Sequence, residues 1–324
     1  MTHRTLRAAG LAALAAAGLA ACGTASGSRP NIPAGSHTGI VPAAQRSRLL
    51  AKVADPPSSF QMSLVMSMSG IPVHAGATAS ETVSEVGVFD PRTKLGAMTV
   101  RISGPARSGG GTFGGRAILD GRTGTIYVDL SQASQIFGKR WLGMSLNSLG
   151  SSELSGTSLN PSETLSQLAK LGGTLRRLGE QAYHGVPTTA YLLTTTWSHL
   201  IAAGPLSGRL PASVAATLDA SGPLQFHLFI DSQGRLRGEQ VHLTGLGTIV
   251  KAVLESLGRP VGRAVTSELS GMQMSLSLSV SAYGVPVQVS VPPASQVKMI
   301  TVPSLFGGTA SGGGASSPGL GTGL

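Results

Sequence analysis

Two segments near opposite ends of the chain alternate apolar and polar residues with period two, and this pattern constrains the fold more than any other feature. Phe60, Met62, Leu64, Met66 and Met68 alternate with Gln61, Ser63, Ser67 and Ser69, broken only by Val65. Met272, Met274, Leu276, Leu278 and Val280 alternate with Gln273, Ser275, Ser277, Ser279 and Ser281. Successive side chains of a strand point to opposite faces, so each segment predicts a strand with one apolar and one polar face. Shorter candidates are Val83 to Phe89, Leu95 to Ile102, Arg116 to Leu119, Thr125 to Leu130, Arg140 to Met144, Thr189 to Thr195, Leu224 to Ile230, Leu236 to Leu243 and Val285 to Val291. Turn residues at Asp120-Gly121 and at Ser232-Gln233-Gly234 join two of these pairs as hairpins, and the short connections predict an antiparallel meander.

Helix signals are fewer. Asn160 suits an N-cap, Pro161 the first helical position and Glu163 a capping box, after which Leu165, Leu168, Leu171, Leu175 and Leu178 recur at helical spacing. Gly172-Gly173 sits inside that stripe, where it would kink the helix or end it early. Gln45 to Val53, Ser198 to Ala203, Pro211 to Leu218 and Gly247 to Leu257 are further expected helices. The combination predicts an α+β fold, a large sheet whose apolar face is covered by a few helices.

With regular strands, Phe60, Met62, Met66, Met68, Met272 and Met274 share one face. Methionine adapts to irregular apolar shapes, so this face is either a packed core or the wall of a ligand cavity. Hydrophobic residues make up 41% of the chain, aromatics 4% and charges 12%, which excludes the disordered class and leaves Val, Leu, Ala and Met to build the core.

The amino terminus has the parts of an export signal: basic His3, Arg4 and Arg7, an apolar run from Ala8 to Ala21, and small residues before Cys22. The run is shorter than the roughly 20 residues of a membrane-spanning helix. Cys22 is the single cysteine of the chain, so it makes no internal disulfide. Leu19-Ala20-Ala21-Cys22 resembles the bacterial lipobox, in which the thiol receives diacylglycerol; an ordinary secretory signal is the alternative. Residues 1–21 are thus expected to be a signal peptide, 22–42 a Gly/Ser/Pro-rich tether, 43–305 one domain and 306–324 a disordered Gly/Ser-rich tail.

The formal charge is +10, and +8 once Arg4 and Arg7 leave with the signal. The arginines are scattered without interleaved aromatics, which argues against nucleic acid and fits a solvating coat or attraction to anionic envelope polymers.

The seven histidines sit in no HxH or HExxH context, no cysteine remains to ligate metal, and no cofactor motif is expected. Ser295-Gln296-Val297-Lys298 matches SxxK without a companion SDN or KTG, and Gly109 to Gly114 matches GxGxxG without the strand-to-helix context that motif needs. No catalytic residues are expected.

Several segments together are similar to one family. Gly179-Glu180-Gln181-Ala182-Tyr183-His184-Gly185-Val186-Pro187-Thr188-Thr189-Ala190-Tyr191 resembles the G-x-E-x-V-x-G-V-x-T-T-x-Y stretch of actinobacterial LppX/LprG-type lipoproteins, members of the LolA-like group, with Gln181 and Tyr183 in place of Glu and Val. Gly138-Lys139-Arg140-Trp141 resembles their G-K-x-W strand, Ile230-Asp231-Ser232-Gln233-Gly234-Arg235 their V-D-x-x-G-R hairpin, and Tyr283 to Pro293 their closing strand pair. The resemblance implies a single large curved antiparallel sheet, like a half-barrel, with helices over its concave face and a cavity for the acyl chains of lipids or lipoglycans. Phe60, Met62, Leu64, Met66, Met68, Leu165, Leu168, Leu171, Met272, Met274, Leu276 and Leu278 are the candidate lining residues. Two departures bear on that cavity: apparent helix at Leu246 to Leu269, and a Gly-rich stretch from Gly104 to Gly115. The expected function is a non-enzymatic, membrane-anchored carrier of an apolar ligand outside the cytoplasm. A solidly packed lipoprotein that binds a protein partner is the first alternative, and a serine hydrolase using Ser295 and Lys298 the second.

Overall fold

Two antiparallel meanders lie side by side in one sheet, and the two alternating segments form the seam between them. The computed structural model describes residues 38–53, 58–74, 77–104, 113–129, 138–145, 168, 171–203, 212–244, 248, 251 and 271–300. Cys22, the signal peptide and the tail lie outside these residues.

The first meander runs through β2 (Phe60–His74), β3 (Ala77–Asp90), β4 (Leu95–Ser103), β5 (Phe113–Asp120), β6 (Thr125–Asp129) and β7 (Trp141–Ser145). The second runs through β8 (Thr174–Tyr183), β9 (Val186–Thr195), β10 (Leu224–Asp231), β11 (Leu236–Leu243) and β12 (Gln273–Tyr283). With β1 (Gly39–Ile40) and β13 (Val297–Ile300) at the edges, the sheet has 13 strands in the order β1-β8-β9-β10-β11-β12-β2-β3-β4-β5-β6-β7-β13. At the seam, Met274 pairs with Met68, Leu276 with Met66, Leu278 with Leu64 and Val280 with Met62.

The described helices are α1 (Ala43–Val53), α2 (Trp197–Ala203) and α3 (Ala212–Asp219). Leu50 of α1, Trp197 of α2 and Val214 and Leu218 of α3 join one core cluster with Leu175, Leu193, Phe226, Leu228, Val241, Leu276, Met66 and Val83. That cluster reaches from β8 to β3, with Val100 and Ile102 of β4 packed against it. Eight adjacent strands measure about 34 Å across when flat. A sheet of this breadth twists and curls, which brings its two halves towards the same helices. Phe60, Met62, Phe89, Leu119 and Val280 continue the apolar face towards one rim. On the opposite, convex face, Tyr183 stacks on Phe229, ring centroids 4.2 Å apart, beside Leu178 and Ala190.

Tight hairpins gather at one rim. Asp90, Asp120 and Asp231 each end a strand, and each Oδ1 accepts the backbone N–H two residues on, from Arg92 (2.9 Å), Arg122 (3.0 Å) and Gln233 (2.9 Å). The side chain thereby mimics the first bond of a turn. The β8–β9 hairpin at the same rim turns through His184 (φ 48°) and Gly185 (φ 79°), the paired positive φ of a type I′ turn. At the opposite rim two residues join β2 to β3, and α2 and α3 link β9 to β10.

Two expectations are corrected, and one strand was not expected. Leu175 and Leu178 belong to strand β8, not to a helix: Gly173 has φ 119°, outside helical space, and in the strand their odd spacing sends Leu175 to the concave face and Leu178, at the bulge between Arg177 and Gly179, to the convex one. Of the rest of that predicted helix only Leu168, which is helical, and Leu171 are described. Val285 to Val291 alternates in exposure but forms no regular strand. Val297–Ile300 is a strand that the pattern did not suggest, and it pairs with β7 in parallel, the one parallel pairing among the described residues. Of the expected helix 247–257, Thr248 and Lys251 are described and both are helical.

Candidate functional site

The concave face is organised in lateral rows, because directly paired residues of an antiparallel ladder share a face. One row reads Leu175, Leu193, Phe226, Val241, Leu276, Met66, Val83, Ile102 from β8 to β4. It is wholly apolar, and all but Ile102 are buried. One step nearer the open rim, Leu243, Met274, Met68 and Glu81 are aligned, with Met68 and Glu81 half-buried. This gradient marks the end of the face nearest solvent.

Each candidate lining residue can be placed against these rows. Phe60, Met62, Leu64, Met66, Met274 and Leu276 are buried on the concave face, and Met68 and Leu278 are half-buried there. Met272 precedes β12 and is half-buried. Leu168 and Leu171 are buried in the same cluster as Leu64, Met66, Met274 and Leu276. Leu165 lies outside the described residues, as does most of the Gly-rich stretch 104–115 and of the segment 246–269.

Two further residues on this face were not among the candidates. The row one step deeper than Met66 reads Tyr191, Leu228, Glu239, Leu278, Leu64, Glu85, Val100. Glu239 is 1% exposed and Glu85 9% exposed, so two carboxyl groups sit in an otherwise apolar row. Burial pushes the Glu85 carboxyl up to about 7 and raises that of Glu81 as well. A signal for Glu85 existed in the sequence: it is in phase with Val83 and Phe89, so it had to share their face.

On the convex face and its tight-turn rim, a second polar group is fully partnered. Asp231 is buried and accepts hydrogen bonds from the backbone N–H groups of Gln233 and Arg235 and from Nε of Arg235 (3.0 Å) and of Arg237 (2.8 Å). Burial alone would push its carboxyl up; the Arg235 amide and the Arg237 and Arg235 guanidinium groups outweigh that and hold it below the usual carboxylate range. Both guanidinium groups lie over the Tyr283 ring, at 4.9 and 5.0 Å from its centroid. Arg237 also borders a cavity of about 200 Å³ lined by Tyr183, His184, Val186, Ser279, Val280 and Ser281. That is below the 300 Å³ or so at which small-molecule sites begin.

The SxxK segment is in the open. Ser295 is exposed in a 3₁₀ turn (Ala294–Gln296) where its carbonyl accepts from Nζ of Lys139 at 2.6 Å, and Lys298 is exposed on β13. His227 is half-buried on the convex side of β10, and among the described residues no three His, Cys, Asp or Glu side chains could hold a metal ion.

No protein-family model and no curated protein matches the chain. Among solved structures, LprF from Mycobacterium bovis is similar at 11% identity and TM-score 0.39, covering 80% of this chain and 99% of that one. Lipoprotein LppX from Mycobacterium tuberculosis is similar at 15% identity and TM-score 0.39, covering 76% and 98%. A LolA superfamily protein from Nitrosomonas europaea is similar at 15% identity and TM-score 0.23, covering 74% and 92%. The fold itself is a broad sheet with helices, as the sequence resemblance implied.

Proposed function

We propose that the protein is a lipoprotein anchored outside the cytoplasm through a diacylglyceryl group on Cys22, and that it binds or carries a lipid or lipoglycan by its acyl chains between the concave sheet face and the helices. The observation that carries this reading is the unbroken apolar row from Leu175 through Met66 to Ile102, flanked by Met62, Met68 and Met274. Chain burial gains about 0.8 kcal/mol per CH₂, so an acyl tail needs no polar contact to be held on such a wall. Methionine side chains adapt to tails of different shape. Substrate chemistry plays no part: the protein binds and releases, without a covalent step and without a cofactor.

The near-complete burial of Met66, Met274 and Leu276, each 1% exposed, favours the rival reading of a solid core. Met274→Trp and Leu168→Trp separate the two. In a chamber, both variants fold and take up a fluorescent fatty-acid probe more weakly than the wild type, because a chamber tolerates volume that a packed core rejects. Unfolding of both variants, together with a wild type that never takes up the probe, establishes the solid core instead.

A further inference from the structure

Glu85 is where the apolar wall breaks its own rule. Its side chain is 9% exposed among Leu64, Val83 and Val100, and it makes no hydrogen bond or ion pair with any described residue. Apolar residues of similar volume are commonly as stable or more stable than a charged group at such a position, and a buried carboxyl without a partner is the costliest case. Glu81, two residues beyond Val83 on the same face, leads from the half-buried edge towards it, and Glu239 stands in its own row beyond Leu64 and Leu278. The one basic side chain paired into that row is Arg177 on β8, six strands away, where it binds Glu180 at 3.0 Å. Nothing described on this face therefore neutralises Glu85, and burial lifts its carboxyl to about 7.

We propose that Glu85 is a polar anchor inside the chamber, and that it selects an otherwise apolar ligand bearing a hydrogen-bond-donating head group, an amine or a hydroxyl, whose chain lies along the Leu64–Leu278 row. The proposal rests on the chamber reading. A carboxylate accepts hydrogen bonds and donates none, so it favours ammonium and hydroxyl groups and repels another carboxylate. Such a contact gains strength where little water reaches it, and Glu85 is 9% exposed.

Dodecylamine, dodecanol and dodecanoic acid share a chain and differ in the head group. Their affinities are measured by calorimetry at pH 8 on the wild type, Glu85→Gln and Glu85→Leu, each checked for folding by thermal melting. The expected order in the wild type is amine, then alcohol, then acid. Glu85→Gln keeps the shape and one acceptor oxygen, so amine binding falls about tenfold or more while alcohol binding falls less. Glu85→Leu weakens both. Equal affinities for amine and acid in the wild type, or an amine affinity unchanged in Glu85→Gln, overturn the anchor and leave the chamber standing. A wild type that takes up none of the three overturns the chamber together with the anchor.

Discussion

Burial lifts the Glu85 carboxyl from 4.5 to about 7, so the folded chain holds this proton over an interval in which the unfolded chain has released it. Protonation therefore favours the folded state. The contribution is full below pH 4.5 or so, declines as pH rises through the interval, and is gone above about pH 7. The loss amounts to about 3 kcal/mol for a shift of this size. In ligand-free protein, Glu85→Gln should flatten that part of the pH–stability profile and be more stable than the wild type at pH 8; a profile identical to the wild type's contradicts the placement of Glu85. Asp231 has the opposite sign, since its carboxyl lies below 3.8 and its contribution is lost only on acidification below that value. Asp231→Ala strands the Arg237 guanidinium, whose side chain is 10% exposed. We expect a loss of about 3–5 kcal/mol in urea unfolding. A loss under 1 kcal/mol or so would mean that Arg237 finds water or another partner.

At the scale of elements, Gly173 sets the boundary at which β8 begins. Its φ is 119°, and a Cβ there would stand 2.2 Å from the Thr194 carbonyl oxygen. Gly173→Ala is expected to cost about 1–3 kcal/mol, read from the melting temperature, and to loosen β8 against β9. That boundary also explains which parts of the fold were legible beforehand. The alternation of Phe60–Met68 and of Met272–Val280 is set by burial of one face, so both strands could be read locally. Their adjacency could not, because the partner of β2 lies at the far end of the chain and no local signal names it. Leu175 and Leu178 have helical spacing, but the period of two in a strand puts residues three apart on opposite faces, and the positive φ of Gly173 that starts the strand is announced by no periodicity. Val297–Ile300 is short and largely exposed, and its partner β7, not its own pattern, makes it a strand. The apolar residues of the candidate site were visible as a face. Glu85 and Glu239 were visible only by phase, since acidic residues in a strand are ordinarily read as its solvent side.

For the whole molecule, the half-buried Met68 and Glu81 stand on the side of the concave face away from the Asp90, Asp120 and Asp231 hairpins. A chain entering from that side meets methionines first, then the apolar row, then Glu85. If Cys22 carries the anchor, Cys22→Ala should abolish acylation and move the protein from the membrane fraction to the medium, whereas unchanged membrane retention and intact mass would refute lipidation. The central claim is that the space between sheet and helices holds an apolar ligand. Native mass spectrometry of the protein purified from its own membrane tests it most directly: a discrete added mass that dissociates as a lipid or lipoglycan is predicted, and a spectrum of bare protein under conditions that preserve a control lipid complex would contradict it.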